Sequence, residues 1–383
     1  MIDLASLCKS VETALVFLAQ TNVKYKMTLK KYISGFDYLR AFFSILVVIW
    51  HTKSIADIMA MPPDIQNILK FFYYNICCLA VPIFFQISLF LFYQKQATDR
   101  SYFLRKKLPD LLIVYGIWMS IGLVINSLVS KGAYLLELDN IQKIVLLVIA
   151  GSRPELYFLF SLTFITVLAF LNHKFLIDRK NSIYIQSMLL CVSLIGIICL
   201  DVMAIITDKD IFSAIWNPIC FLPYIFSSSI LIILDRDDCS KLSIYFYNQR
   251  FLFISILFTI FLLLSSLEWQ LTSFPAIQNN AELLPVYARV SLVFGAFITC
   301  YCAILHKGKP SNLIREISQE SLGIYVMHRY VLQFIQYLNY SVGFVLNPVV
   351  GIVFAVTIPM LISKLLKKYQ IGRVMLNATY KPR

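Results

Sequence analysis

Long apolar runs recur along the chain, set apart by short polar segments that carry most of its lysines and arginines. One run follows Phe36-Asp37-Tyr38-Leu39-Arg40; from Ala41 to Trp50 its one polar residue is Ser44, and His51-Thr52-Lys53 closes it. In a chain with many such runs, this reads as the first membrane-spanning helix. Further spans are predicted at about 70–94, 107–130, 155–172, 182–207, 212–234, 250–268, 284–305, 319–339 and 345–366, each long enough to cross a bilayer with some tilt. Ile141–Ala150 is apolar but too brief, and reads as a re-entrant or interfacial helix. The pattern predicts an all-α, polytopic membrane protein with about ten transmembrane helices. Asp3, Lys9 and Glu12 interrupt the stretch before it, so residues 1–33 are expected as a cytoplasmic segment, in part an amphipathic helix on the inner surface. Residues 34–368 form the membrane domain and 369–383 a basic cytoplasmic tail.

Composition agrees: 59% of the 383 residues are hydrophobic and 14% charged, and the mean hydropathy is +0.74, which excludes a soluble domain of this size. The net charge of +13 suggests nucleic acid at first sight. The basic residues, however, sit in short loops between apolar runs, as orientation in a bilayer and attraction to anionic lipid require. If the N-terminus is inside, the cytoplasmic segments hold twenty-five Lys and Arg and the opposite side six. Both termini are therefore expected in the cytoplasm, with Arg40 toward the inner face and His51 in the outer half. Seven of the nine cysteines lie within apolar runs, and no disulfide framework or metal site is expected from them. Asp235-Arg236-Asp237-Asp238 has the look of an acidic metal cluster, but a loop between two spans is an ordinary place for solvated charge.

Ionisable residues inside spans are where function is sought in such a protein. At about 100° per residue, eleven positions bring His51 back to within roughly 20° of Arg40, about 16 Å along the axis. The two share a face, which would suit a wet cavity; a snorkelling arginine and an interfacial histidine are the plainer alternative. Asp201 and Arg289 are further charges within spans and are expected to pair with each other. Trp216, Tyr224 and Trp269 lie near span ends and read as interfacial aromatics.

Asp37-x-Leu39-Arg40, ten residues and His51 together resemble the N-terminal signature of the acyltransferase-3 family of integral-membrane acyltransferases. Val81-Pro82-Ile83-Phe84-Phe85-Gln86-Ile87-Ser88 is similar to the family's second-helix pattern, with Leu89 where glycine is usual. Arg105-Lys106-Lys107 stands at the family's arginine-rich motif, with Asp110 in place of the second arginine. The segment from Gly151 through Arg153, Glu155 and Tyr157 to Leu159 is similar to a loop-and-helix pattern in which Tyr157 replaces tryptophan, and Ser321-Leu322-Gly323-Ile324-Tyr325, then His328, resembles the late-helix signature. The resemblance implies an O-acyltransferase in the bacterial cytoplasmic (inner) membrane, moving an acetyl or other short acyl group from acetyl-coenzyme A to a hydroxyl of a surface polysaccharide or lipid-linked glycan. Under it, His51, Arg40, His328 and Tyr325 are the candidate catalytic residues. Arg40, Arg105, Lys106 and Lys107 would receive the donor, and Arg153, Glu155 and Tyr157 the acceptor. No metal is implied. The alternative is a glycan transporter or flippase, or a non-catalytic subunit of polysaccharide export.

Overall fold

A backbone in hydrocarbon has no water to bond to and has to satisfy its N–H and C=O groups within its own segment. In agreement, the computed structural model is helical throughout and has no strand among the described residues, which are 32–52, 62–130, 140–173, 182–207, 214–235, 250–272, 287, 289–342 and 347–376. The expected N-terminal amphipathic helix, residues 236–238 of the acidic run and residues 377–383 of the tail lie outside them. The principal helices are α1 (Gly35–His51), α2 (Pro63–Ile76), α3 (Ala80–Thr98), α4 (Leu108–Val129), α5 (Ile141–Ala150), α6 (Tyr157–Asn172), α7 (Ser182–Thr207), α8 (Pro223–Asp235), α9 (Arg250–Thr272), α10 (Val290–Leu305), α11 (Asn312–Gln319), α12 (Ser321–Val342), α13 (Pro348–Leu366) and α14 (Gln370–Met375).

The centre is α3. Ile83, Phe85, Leu89, Phe90 and Tyr93 are fully buried, as expected of a helix apolar on every side, and α8, α10, α1 and α6 pack around it. Its start is a break within the second expected span. Pro82 has no N–H for the carbonyl four residues back, and Cys77–Leu79 tighten there into a 3₁₀ turn between α2 and α3. By contrast α7 turns Tyr184, Met188, Val192, Ile195 and Val202 outward at helical spacing. Such a stripe is stable against lipid and not against water. The protein is a membrane protein, and among the described residues five helical stretches are long and apolar enough to cross: Tyr73–Thr98, Phe103–Val129, Ser182–Met203, Pro218–Asp235 and Pro348–Leu366. α5 is helical over the expected residues, and none of its side chains is buried.

Small residues set the closest approaches. A Cβ on Gly35 would fall 2.1 Å from the Ala303 carbonyl oxygen of α10, and one on Gly323 would fall 1.7 Å from the Ser363 Oγ of α13, which is how small residues let helices touch in a bilayer. Polar side chains lock the rest. Asn172 and Gln186 exchange two hydrogen bonds, at 3.1 and 3.0 Å, and Gln186 accepts a third from Ser229 at 2.6 Å. Arg289 pairs with Glu268 at 2.7 Å and donates to Asn75 Oδ1 at 2.6 Å. The expected Asp201–Arg289 pair is therefore corrected: a carboxylate two helical segments nearer in sequence, at the end of α9, meets the guanidinium instead. Tyr224 is fully buried against Phe85 and Phe221, packed inside the protein rather than on its lipid-facing surface.

Candidate active site

Arg40 and His51 do lie along one side of α1, but each borders its own cavity. Arg40 borders an inner cavity of about 350 Å³, shared with Ser88, Lys95, Lys106, Lys107, Asp110 and Phe158 among others. His51 borders an outer cavity of about 120 Å³, with Trp50, Cys77, Ala80, Glu155, Tyr157, Tyr287 and Arg329. Tyr325 stands in the wall of both. "Inner" and "outer" here follow α1 from its N-terminal to its C-terminal end.

The inner cavity is cationic. Arg40, Lys95, Lys106 and Lys107 border it against the single carboxylate of Asp110. Lys107 reaches it from the start of α4 and donates to Ser88 Oγ of α3 at 3.2 Å. Arg105 does not join them: its side chain is exposed and borders neither cavity. Two positions apart on a helix point to different sides, and the turn is wound wider than an α-helix, with the Leu108 N–H bonded to the Phe103 carbonyl. Pro109 behind it has no N–H to offer the Arg105 carbonyl, so the ordinary register is already broken. The loop before this turn is pinned by Asp99, which accepts from the N–H and Oγ of Ser101 at 2.9 and 2.7 Å; those bonds hold its carboxyl below the usual range. Asp37, in the first turn of α1, accepts from Ser318 Oγ at 2.7 Å and is buried. It fastens α1 to the end of α11, where Ser318 and Gln319 border the cavity.

In the outer cavity the two histidines meet. The rings of His51 and His328 are 5.1 Å apart between centroids and tilted by 35°. His328 is completely buried, and its Nδ1 lies 2.7 Å from the Tyr325 carbonyl and 3.1 Å from that of Ile324. Two acceptors at Nδ1 assign the hydrogen to that nitrogen, leaving Nε2 as an acceptor; among the described residues Nε2 has no hydrogen-bond partner. Beside them Arg329 pairs with Glu155 at 2.5 Å. Glu155 and Tyr157 both border the cavity, while Arg153 borders neither: it donates to Gln333 Oε1 at 2.9 Å and lies 4.8 Å over the Tyr330 ring. The Tyr325 hydroxyl is committed to the Glu155 carbonyl oxygen at 2.9 Å, so it is turned away from a proton-donor role at His51.

The arrangement is a charged vestibule and a histidine chamber, back to back along one helix. The family model for an acyltransferase domain matches residues 33–366. The chain belongs to the acyltransferase-3 family. Comparison with curated proteins and with solved structures gives no match. For an acyltransferase the match is well placed: it opens two residues before α1, ends on the last residue of α13, and encloses every residue that borders either cavity apart from Leu376.

Other parts of this acyltransferase site carry no motif. Ser88 and Lys95 lie seven apart on α3, a spacing that puts them on one face and so was available from the sequence. Tyr287 and the Glu155–Arg329 pair join segments more than a hundred residues apart, and no local pattern marks them. Among the described residues no group of three or more His, Cys, Asp or Glu is placed to hold a metal ion.

Proposed function

We propose that this acyltransferase moves an acetyl or similarly short acyl group from cytoplasmic acyl-coenzyme A to a hydroxyl of a cell-surface carbohydrate, across a bacterial cytoplasmic membrane. The observation that carries the reading is the pair of cavities along α1, cationic at Arg40 and histidine-lined at His51, with one residue between them. A donor with several phosphates suits a vestibule of four cations. The thioester end then reaches toward His51. The acceptor hydroxyl gives its proton to a His51 nitrogen as its oxygen attacks the thioester carbon. The oxyanion collapses, the carbon–sulfur bond breaks, and the leaving thiolate takes that proton back. The His328 ring, 5.1 Å from that of His51 between centroids, packs against it and holds its orientation, and Arg329 supplies positive charge for the oxyanion.

The excess of Lys and Arg on alternate loops supports ten spans with both termini in the cytoplasm, which puts the Arg40 cavity on the donor side. Arg40, Lys106 and Lys107 would hold the donor, and Glu155 and Tyr157 would line the acceptor's approach. The test is the acetate content of purified surface glycan from cells carrying His51→Ala or Arg40→Ala. Glycan that is still exported but carries no acetate in either variant is the expected result. Acetate at the parental level in His51→Ala would defeat the assignment, and lost export with acetate per residue unchanged would mean a transporter.

A further inference from the structure

We propose that Tyr325 is the partition between the two cavities, a positioning residue that keeps outer water from the thioester and seals the lumen when no acceptor is present. It rests on the reading above for the identity of the donor, but the geometry stands alone. Four helices, α1, α3, α6 and α12, border both cavities, each passing from one to the other along its length; on α6, Tyr157 is outer and Phe158 inner. On α1, Arg40 is inner and Val47, Trp50 and His51 are outer; on α3, Ala80 and Val81 are outer and Phe84, Ile87 and Ser88 inner. On α12, Ser321, Tyr325 and Arg329 follow at intervals of four, one face of a helix: Ser321 borders the inner cavity, Arg329 the outer, and Tyr325 both.

At Tyr325 aromatic rings close the passage. The Tyr325 ring lies 5.0 Å from that of Phe158, which lies 6.4 Å from that of Phe84. Tyr325 is 6% exposed. Its hydroxyl is latched to the Glu155 carbonyl at 2.9 Å, on the short 3₁₀ turn Pro154–Leu156 that leads into α6. With that hydrogen bond broken, packing alone holds the ring in place.

Chemistry requires such a wall. The base that activates a sugar hydroxyl activates water equally well, and water attack converts the thioester to free carboxylic acid and thiol with nothing transferred. A lumen open at both ends would also pass protons and small ions across the bilayer. Tyr325 answers both needs if it yields only when an acceptor fills the outer chamber.

The test uses the full chain in liposomes, comparing Tyr325→Phe, Tyr325→Leu and Tyr325→Ala with the parent. Acid release from acetyl-coenzyme A without acceptor is read against acetyl transfer with acceptor, and the decay of an imposed pH gradient is read in parallel. The expected hydrolysis-to-transfer ratio rises by about tenfold or more in Tyr325→Ala as water enters. The gradient decays faster there and in Tyr325→Leu. Tyr325→Phe, which keeps the ring and loses the latch, raises the ratio less and holds the gradient. If the alanine chain does not assemble, the leucine and phenylalanine chains decide. An unmoved ratio together with an unmoved gradient in every variant that assembles overturns the partition. A parent that neither transfers nor hydrolyses acetyl-coenzyme A would refute the donor assignment, and the gradient would still judge Tyr325.

Discussion

Lys107 and Arg105 lie two apart in a basic run, yet they stand in different surroundings. One donates to Ser88 inside the Arg40 cavity, and the other faces out. Lys107→Met is therefore expected to raise the KM for the acyl donor by about tenfold, the loss of one charge-assisted contact, with a smaller change in kcat. Arg105→Met is expected to leave both near the parental values. Steady-state kinetics with purified protein checks the pair, and equal effects would contradict the assignment. The sequence places Arg40 and His51 on one face because helical periodicity is local. It is silent on the tautomer of His328, since packing decides whether the ring turns Nδ1 back to the carbonyls of its own helix, and on the Tyr325 hydroxyl, which finds its partner 170 positions away.

At the scale of elements, most boundaries follow from the chain: apolar runs end where charges begin, and the break before Pro82 was foreseeable from that residue. Some are not. The span expected from 319 begins two residues later, because Ser318 and Gln319 finish α11 and Glu320 stands at the corner, paired with Lys367 at 2.7 Å. Hydropathy does not distinguish one bent helix from two. Close helix approach gives a sharper expectation. A Cβ at Gly35 meets backbone, which cannot step aside, whereas one at Gly323 meets the Ser363 side chain first. Gly35→Ala is expected to lower stability by roughly 1–3 kcal/mol, and Gly323→Ala by less, as thermal unfolding in detergent would report. The reverse order would mean that α1 and α10 have more slack than their contact allows.

For the molecule as a whole, the wide exposure of apolar side chains on α4, α7, α9 and α13 is intelligible only against lipid. Charge asymmetry gives the direction. With single cysteines placed near residues 30 and 380 in an otherwise cysteine-free chain, a membrane-impermeant thiol reagent added to intact cells is expected to label neither, and to label both once the membrane is opened. Labelling of either end in intact cells would invert or break the proposed topology. The family was legible in the sequence through two short motifs in α1 and α12, the helices that now carry both histidines and the residue between the cavities. The two cavities were not, because a void is made by what surrounds it and has no letters of its own.

That Arg40 and His51 ride on one unbroken rod makes α1 a ruler. On the proposed function, the separation between the donor's charged anchor and the reactive ring is fixed by ten intervening residues held at a constant rise, and no loop motion can lengthen it. A donor whose arm between charge and carbonyl is too short falls shy of the histidine, and one whose arm is too long overshoots. On that reading the choice of carrier is written into a count of residues.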